Sequence, residues 1–425
     1  MNTFTPLRLV AFLLASWTAL AGEQATAEQK KAAPLVAGDL RNTPRAERKV
    51  VAVAMLVART PWGSGTWRTW QNHGHEPDRK DAAGRRDIGS VYYPAIGLYD
   101  CSDPDYIDYA CQTLAMCHVD AITFYTRDAS DEWHIAALRK WVATMPRYGL
   151  RGMPRLQPES SVADLDALLR VFAPVALTWG ERTVVPFFNL KTDRYGDVAR
   201  WKAEKTPQPL LLKWISASCR PPFDGGFDWI GDATHPARET SARDGWKRYF
   251  DARLAKEGYD SDVERAKKLI ASGMSFYAEG VNPGFDDSPV NGWGNGKHYI
   301  ERAQGETYRY RWQRAVENGY PMVFIPTWDD WGEGSLIEAT VEFGNLYLGI
   351  TREYAAKYKG ITPNTGDLSL PQWIYRARKG STDDNAVRKA MDEASQLLEQ
   401  RKYTEAEARV RPFADPLKAT KARYR

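Results

Sequence analysis

Apolar positions in this chain alternate between short continuous runs and amphipathic stretches with three- and four-residue spacing. The runs at 50–57, 121–125, 150–156, 183–190, 209–216, 227–230, 274–278 and 323–326 are short and largely apolar, the last of them β-branched as well, which predicts strands. The spacing between them predicts helices at 105–116, with Asp103 and Pro104 as cap and first turn, and at 134–145. It predicts further helices from a Ser160 or Ser161 cap to 172, and at 242–257, 262–271 and 305–318. Strand–helix alternation of this period argues for a parallel sheet with helices outside. No internal repeat is visible. The connection 58–94 is too long for a plain turn and carries its own tryptophans, a pattern usual for functional loops. After a turn cluster at 363–366, apolar spacing predicts two short helices at 384–399 and 403–410. Residues 361–425 therefore read as a helical extension appended to a domain of 48–360, with its basic end a solvated terminus.

The first 47 residues lack this organisation. Residues 1–21 carry Arg8, an apolar stretch and an Ala19-Leu20-Ala21 cleavage site, the pattern of a signal peptide. The stretch is too short to span a bilayer comfortably, and the first cysteine is at 101, so no lipid-anchor cysteine follows it. Residues 22–47 read as a flexible leader. The expectation is an exported, periplasmic or secreted protein, free of the membrane after cleavage. Of the 425 residues, 43% are hydrophobic, ample for a barrel-sized core, and the net charge of +4 with both signs interspersed argues against nucleic acid. Cys101, Cys111, Cys117 and Cys219 are compatible with disulfides; Cys101 pairs more readily with Cys111 or Cys117 than those two with each other. No CxxC or HxxxH occurs, so neither a metal nor a cofactor is expected.

One stretch concentrates chemistry. The strand expected at 323–326 runs into Trp328, Asp329, Asp330, Trp331, Gly332 and Glu333. Asp330 and Glu333 would face opposite ways on an extended strand, but a turn at Gly332 would bring both to one wall. Two carboxylates in different environments beside flat aromatic faces are what glycoside cleavage requires, one protonated and one ionised. The plainer alternative is a solvated helix start capped by one of the aspartates.

The segment WDDWGEGSLIEA resembles the W-N-[DE]-W-x-E-[GS]-x-x-I-E segment of the glycoside hydrolase family 71 and 99 group. DIGSVYYPAIGLYD at 87–100, followed by Ser102, Asp103 and Pro104 and the run to Tyr125, resembles that group's N-terminal signature. Asn282 to Asp287, then Arg302, Gly305 and Tyr308, follow in the expected order, so the likeness covers roughly 48–355. The group usually has Asn at the position of Asp329. Family 99 has Glu at that of Asp330, where Asp is closer to family 71, so the two families stay open. The resemblance implies a (β/α)8 TIM barrel that cleaves internal linkages of an α-mannan or α-glucan. Glu333 would be the general acid, and Asp330 the base acting on the sugar's own 2-hydroxyl or on water. Tyr92 and Tyr93 fall in the block implied to line the substrate cleft.

Barrel enzymes act at the C-terminal ends of their strands. That rule adds Tyr125, Arg127 and Asp128, Arg155 and Gln157, Asn189, Tyr277 and Glu279, and Trp328 and Trp331 as candidates; Tyr277 and Glu279 read equally well as core and helix entry. Trp62, Trp67 and Trp70 would floor a sugar subsite or cover the barrel mouth. Glu338 reads as a structural partner, and Asp286 and Asp287 as substrate contacts or a turn. The competing functional reading is a non-catalytic polysaccharide-binding barrel, kept alive by the extra acid at Asp329.

Overall fold

A computed structural model describes residues 42–126, 129–157, 160–215, 219–230, 269, 271–290, 299–381 and 384–414. Eight strands close into a parallel barrel: β1 Lys49–Ala54, β2 Ala121–Thr126, β3 Arg151–Leu156, β4 Arg182–Phe187, β5 Leu210–Trp214, β6 Gly225–Phe227, β7 Phe276–Gly280 and β8 Met322–Ile325. Closure is through β1, whose Val51 registers with Ala121 of β2 on one side and Phe324 of β8 on the other. The β3–β4 seam is the thinnest, held by Leu156 opposite Phe187 and by Phe188 N–H to Leu156 C=O at 2.7 Å.

The continuous apolar runs follow from burial on both faces. Val51, Val53, Met153, Leu212, Phe227, Phe276, Ala278 and Phe324 form an inner cluster filling the barrel. Their neighbours Val50, Ala52, Ile122, Phe124, Leu211, Tyr277 and Val323 pack outward under the helices. Phe227 stacks on Phe324 at 5.0 Å although β7 lies between their strands, as side chains pointing into one lumen do. β6 is two glycines and a phenylalanine because β7 crowds it: a Cβ at Gly225 would lie 2.0 Å from the Phe276 carbonyl oxygen. The strand expected at 227–230 is therefore shifted to 225–227.

Helices α1 Pro104–Met116, α2 Glu132–Thr144, α3 Val162–Phe172, α4 Tyr195–Ala203, α5 Glu306–Asn318 and α6 Leu346–Lys359 pack outside. Asp103 caps α1, Asp131 caps α2 through the His134 N–H, and Ser161 with Asp164 forms a capping box on α3. The helix expected at 242–257 and most of that at 262–271 lie outside the described residues, as do 1–41.

Beyond the barrel come α7 Leu370–Gly380, α8 Asn385–Glu399 and α9 Tyr403–Ala414. They dock on α1 through a buried ion pair: Arg378 Nη1 donates to Asp108 Oδ2 at 2.6 Å, and Nη2 reaches Asp392 and Ser395. The second Asp108 oxygen accepts from Tyr148 and Arg147. The expected disulfide is not formed; all four cysteines are buried thiols. Cys101 precedes α1, while Cys111 and Cys117 lie roughly 10 and 20 Å along it, too far for a bridge. No described helix is long and apolar enough to cross a membrane.

Candidate active site

Past β8 the chain folds back on itself as a short closed loop. The Trp328 N–H bonds Val53 C=O at 2.7 Å, extending β8 along β1, and Thr327 N–H meets Ser335 C=O at 2.9 Å. Between these anchors residues 331–334 turn, with Gly334 at φ +57°, where a Cβ would stand 2.9 Å from the Asp286 carbonyl oxygen. Inside the loop Asp330 N–H donates to Thr327 Oγ1 at 2.9 Å, and Glu333 N–H donates to Asp330 Oδ1 at 3.0 Å. Asp286 N–H holds the Glu333 carbonyl at 2.9 Å. From outside, buried Arg302 donates through Nη2 to the carbonyls of Gly334 and Leu336, both at 2.8 Å, with its guanidinium against Tyr347 and Tyr92. The turn thus brings Asp330 and Glu333 to one wall.

Neighbouring acids are used differently. Asp329 points back to the barrel, its Oδ1 accepting the Met55 N–H at 2.7 Å just past β1. Burial pushes its pKa up to about 7, the Met55 N–H opposes that, and the Asp330 charge adds to it. Burial also raises Asp330, while the Glu333 N–H, the Arg155 guanidinium and the Gly332 N–H favour its carboxylate form. Arg155, 1% exposed, rises from β3 inside the barrel with its guanidinium 4.6 Å from Trp229, 4.9 Å from Phe188 and 5.5 Å from Tyr125. Burial lowers it to about 10, against the stabilising field of Tyr125, Asp330 and Glu333. Glu338 lies deeper, accepts the Tyr99 hydroxyl at 2.7 Å, and is held well above the carboxylate range by burial.

Asp330, Gly332 and Glu333 line a cavity of about 410 Å³. It is lined as well by Tyr125 and Met55 to Val57, by Arg59, Arg68, Thr69, Asn72 and His73, and by Asp131, Trp133, His134 and Val290. Leu56, Thr69 and His73 on these walls hold φ of +50°, +70° and +57°, a strain that clusters at functional sites. Apart from Tyr125 and the acids, the lining residues were not singled out from the sequence. Arg59, Arg68, Thr69, Asn72 and His73 come from the connection 58–94, whose length was the signal; Asp131, Trp133 and His134 come from the start of α2, Met55 to Val57 from just past the end of β1, and Val290 from the segment after β7.

Several expected contacts are placed elsewhere. Tyr277 and Glu279 sit on β7 out of phase with the inward Phe276 and Ala278, so they face the helices: Tyr277 packs edge-on against Tyr320, and Glu279 accepts from Asn318. Trp67, Trp70, Trp328 and Trp331 are buried. Trp328 donates to the Tyr106 hydroxyl, Trp331 to that of Tyr99, Trp70 to the Tyr99 carbonyl and Trp67 to Asp78. They brace the loops instead of offering faces to a sugar. Tyr92 and Tyr93 line a separate cavity of about 530 Å³ with Arg85 and Glu342. Arg127 and Asp128 lie outside the described residues. Among the described residues no group of three or more His, Cys, Asp or Glu side chains forms a metal site.

Comparison with known proteins agrees with this geometry. The chain is 25% identical over 303 residues to the glycoprotein endo-alpha-1,2-mannosidase of Rattus norvegicus, covering 64% of each. It is 35% identical over 351 residues to the uncharacterized protein WxcX of Xanthomonas campestris pv. campestris, covering 69% of this chain and 46% of that one. It therefore spans less than two thirds of the length of these relatives. Its fold resembles the endo-alpha-mannosidase of Bacteroides thetaiotaomicron, with a TM-score of 0.56 and 14% identity over 75% of this chain and 99% of that one. The family model of glycosyl hydrolase family 99 matches residues 62–359, which resolves the choice left by the motif: this chain belongs to glycosyl hydrolase family 99.

Proposed function

We propose that the chain is a glycoside hydrolase cleaving internal α-linkages of an α-mannan, with Glu333 as general acid and Asp330 as base; an α-glucan is the alternative polymer. The observation that carries this reading is the turn that sets both acids at the C-terminal end of β8, lining one cavity. Burial raises Asp330 above the usual carboxylate range, and two backbone N–H groups and the Arg155 guanidinium oppose that by favouring the ionised form a base needs. Asp329, the feature that spoke for a non-catalytic barrel, is committed to the Met55 N–H and does not line the cavity. The names of the rat and Bacteroides relatives, which act on α-mannosides, support mannose as the sugar. We also infer export, from the leader of residues 1–21.

Product analysis on a panel of α-mannans and α-glucans tests the substrate. Glu333→Gln should reduce turnover of a natural glycan by about 10²–10⁴-fold, and much less on an activated aryl glycoside, which needs little protonation. Asp330→Asn should reduce both alike. Rescue of Asp330→Asn but not Glu333→Gln by the activated substrate would exchange the roles, and full activity of both variants would sink the reading. For export, mature protein recovered outside the cytoplasm still starting at Met1 would refute cleavage.

A further inference from the structure

The cavity that holds the two acids also carries a pair of arginines that a neutral sugar does not account for. Arg59 and Arg68 exchange both backbone hydrogen bonds at 3.2 Å as an isolated antiparallel bridge. Residues directly opposite in such a bridge put their side chains on the same face, and both of these line the cavity. Like charges in that position repel, and nothing in the barrel's packing requires them there.

Their counter-charges are few and already engaged. Asp131 approaches Arg59 Nη2 at 3.6 Å, but its other oxygen caps α2 through the His134 N–H. Asp100 accepts from Thr60, Ser64 and Ser102. Arg68 has no ion-pair partner among the described residues, and the buried Nε of Arg59 has no hydrogen-bond partner among them. Arg59 lies flat on Trp133, its guanidinium 3.6 Å from the ring, which fixes its position while leaving its edge available. Thr69 and His73, both at positive φ, hold the Arg68 segment against the cavity. The cavity lining therefore holds Asp330, Glu333 and Asp131 together with this arginine pair.

Building on the glycosidase reading, we propose that the Arg59–Arg68 pair is a subsite for an anionic substituent of the glycan, a carboxylate or a phosphate, held there while Asp330 and Glu333 act on a linkage in the same cavity. Both anions match a guanidinium fork, and Arg–anion pairs are strong where they are partly desolvated.

The test uses the full chain carrying Glu333→Gln, so that ligand is bound and not consumed. Its affinity is measured by calorimetry for three versions of one manno-oligosaccharide: neutral, bearing a glucuronate, and bearing a phosphate ester. At least one charged version should bind about tenfold or more tightly than the neutral one, and which of the two wins identifies the anion. Adding Arg68→Gln or Arg59→Gln, with folding checked by thermal melting, should reduce that preference towards unity, and Arg68→Lys should retain part of it. Equal affinity for charged and neutral glycans overturns the subsite and leaves the glycosidase reading standing. A preference that survives both arginine substitutions also overturns it. Binding of none of the three, together with no turnover by the unmodified enzyme, overturns both readings.

Discussion

Asp329 and Asp330 are chemically identical neighbours, and their environments separate them. Asp329 is a buried acid whose pKa lies near 7. Between the ordinary carboxylate range and about 7 the folded chain keeps a proton there that the unfolded chain releases. The stability from this group is therefore complete in acid and lost as pH rises through about 7. Asp329→Asn keeps an acceptor for the Met55 N–H and removes the titration. The drop in melting temperature from pH 5 to pH 8 should shrink by a few degrees, as about 1 kcal/mol moves a chain of this length by roughly 1–2 °C; an unchanged drop would count against the assignment. Arg155 acts in the opposite sense on Asp330. Arg155→Met removes the cation that favours the carboxylate, so the acidic limb of the pH–rate profile should move to higher pH while the fold persists. A limb that stays in place would show that the guanidinium does not act on Asp330. Arg155 was reachable from the sequence as a strand-end residue, whereas Tyr277 and Glu279 were misplaced. On a strand buried on both faces the alternation is visible but its phase is not, and a slip of one residue exchanges inside for outside.

At the scale of elements, the loop after β8 depends on partners far away in the chain. Arg302 is the clearest, since one of its nitrogens satisfies two loop carbonyls. Arg302→Met should leave those buried carbonyls without a charged donor, lowering stability by about 1–3 kcal/mol and turnover by about tenfold or more. Denaturant unfolding read beside steady-state kinetics checks both; a turnover loss with no stability change would mean that Arg302 acts on the substrate and not on the loop. The strands and helices of the barrel were legible because each is a local apolar pattern. The connection 58–94 was legible only as unusually long. Which of its residues face the cavity depends on non-glycine positions at positive φ and on one isolated bridge, and neither leaves a sequence signature. The tryptophans were the most visible feature of that loop; Trp67 and Trp70 proved to be its internal bracing, while Trp62 stands exposed with its ring edge-on to Trp67. A ring whose N–H finds a partner packs as readily as it stacks on a sugar.

At the scale of the molecule, the C-terminal helices are fastened to the barrel by shared core residues, by Lys379 on Asp103 and Asp105, and by the buried Arg378–Asp108 pair. Arg378→Met leaves Asp108 buried against weaker partners and should cost about 3–5 kcal/mol. Combining it with Asp108→Asn should recover part of that loss, and strict additivity in the double-mutant cycle would show that the pair does not couple. The same helix, α1, presents Asp108 and Gln112 to the extension, while its Tyr106 hydroxyl accepts from Trp328 and approaches Asp329 at 3.5 Å. Tyr109 lies between the ring of Tyr375 on α7 and that of Trp328. The family match stops at residue 359, yet a gene trimmed at that boundary would strip one side of α1 and remove Arg378, leaving Asp108 with Arg147, Tyr148 and Gln112 as partners. For anyone choosing cloning limits, the extension is a foundation course beneath the active-site loop, and a fragment cut to the family's edge should be recovered as aggregate.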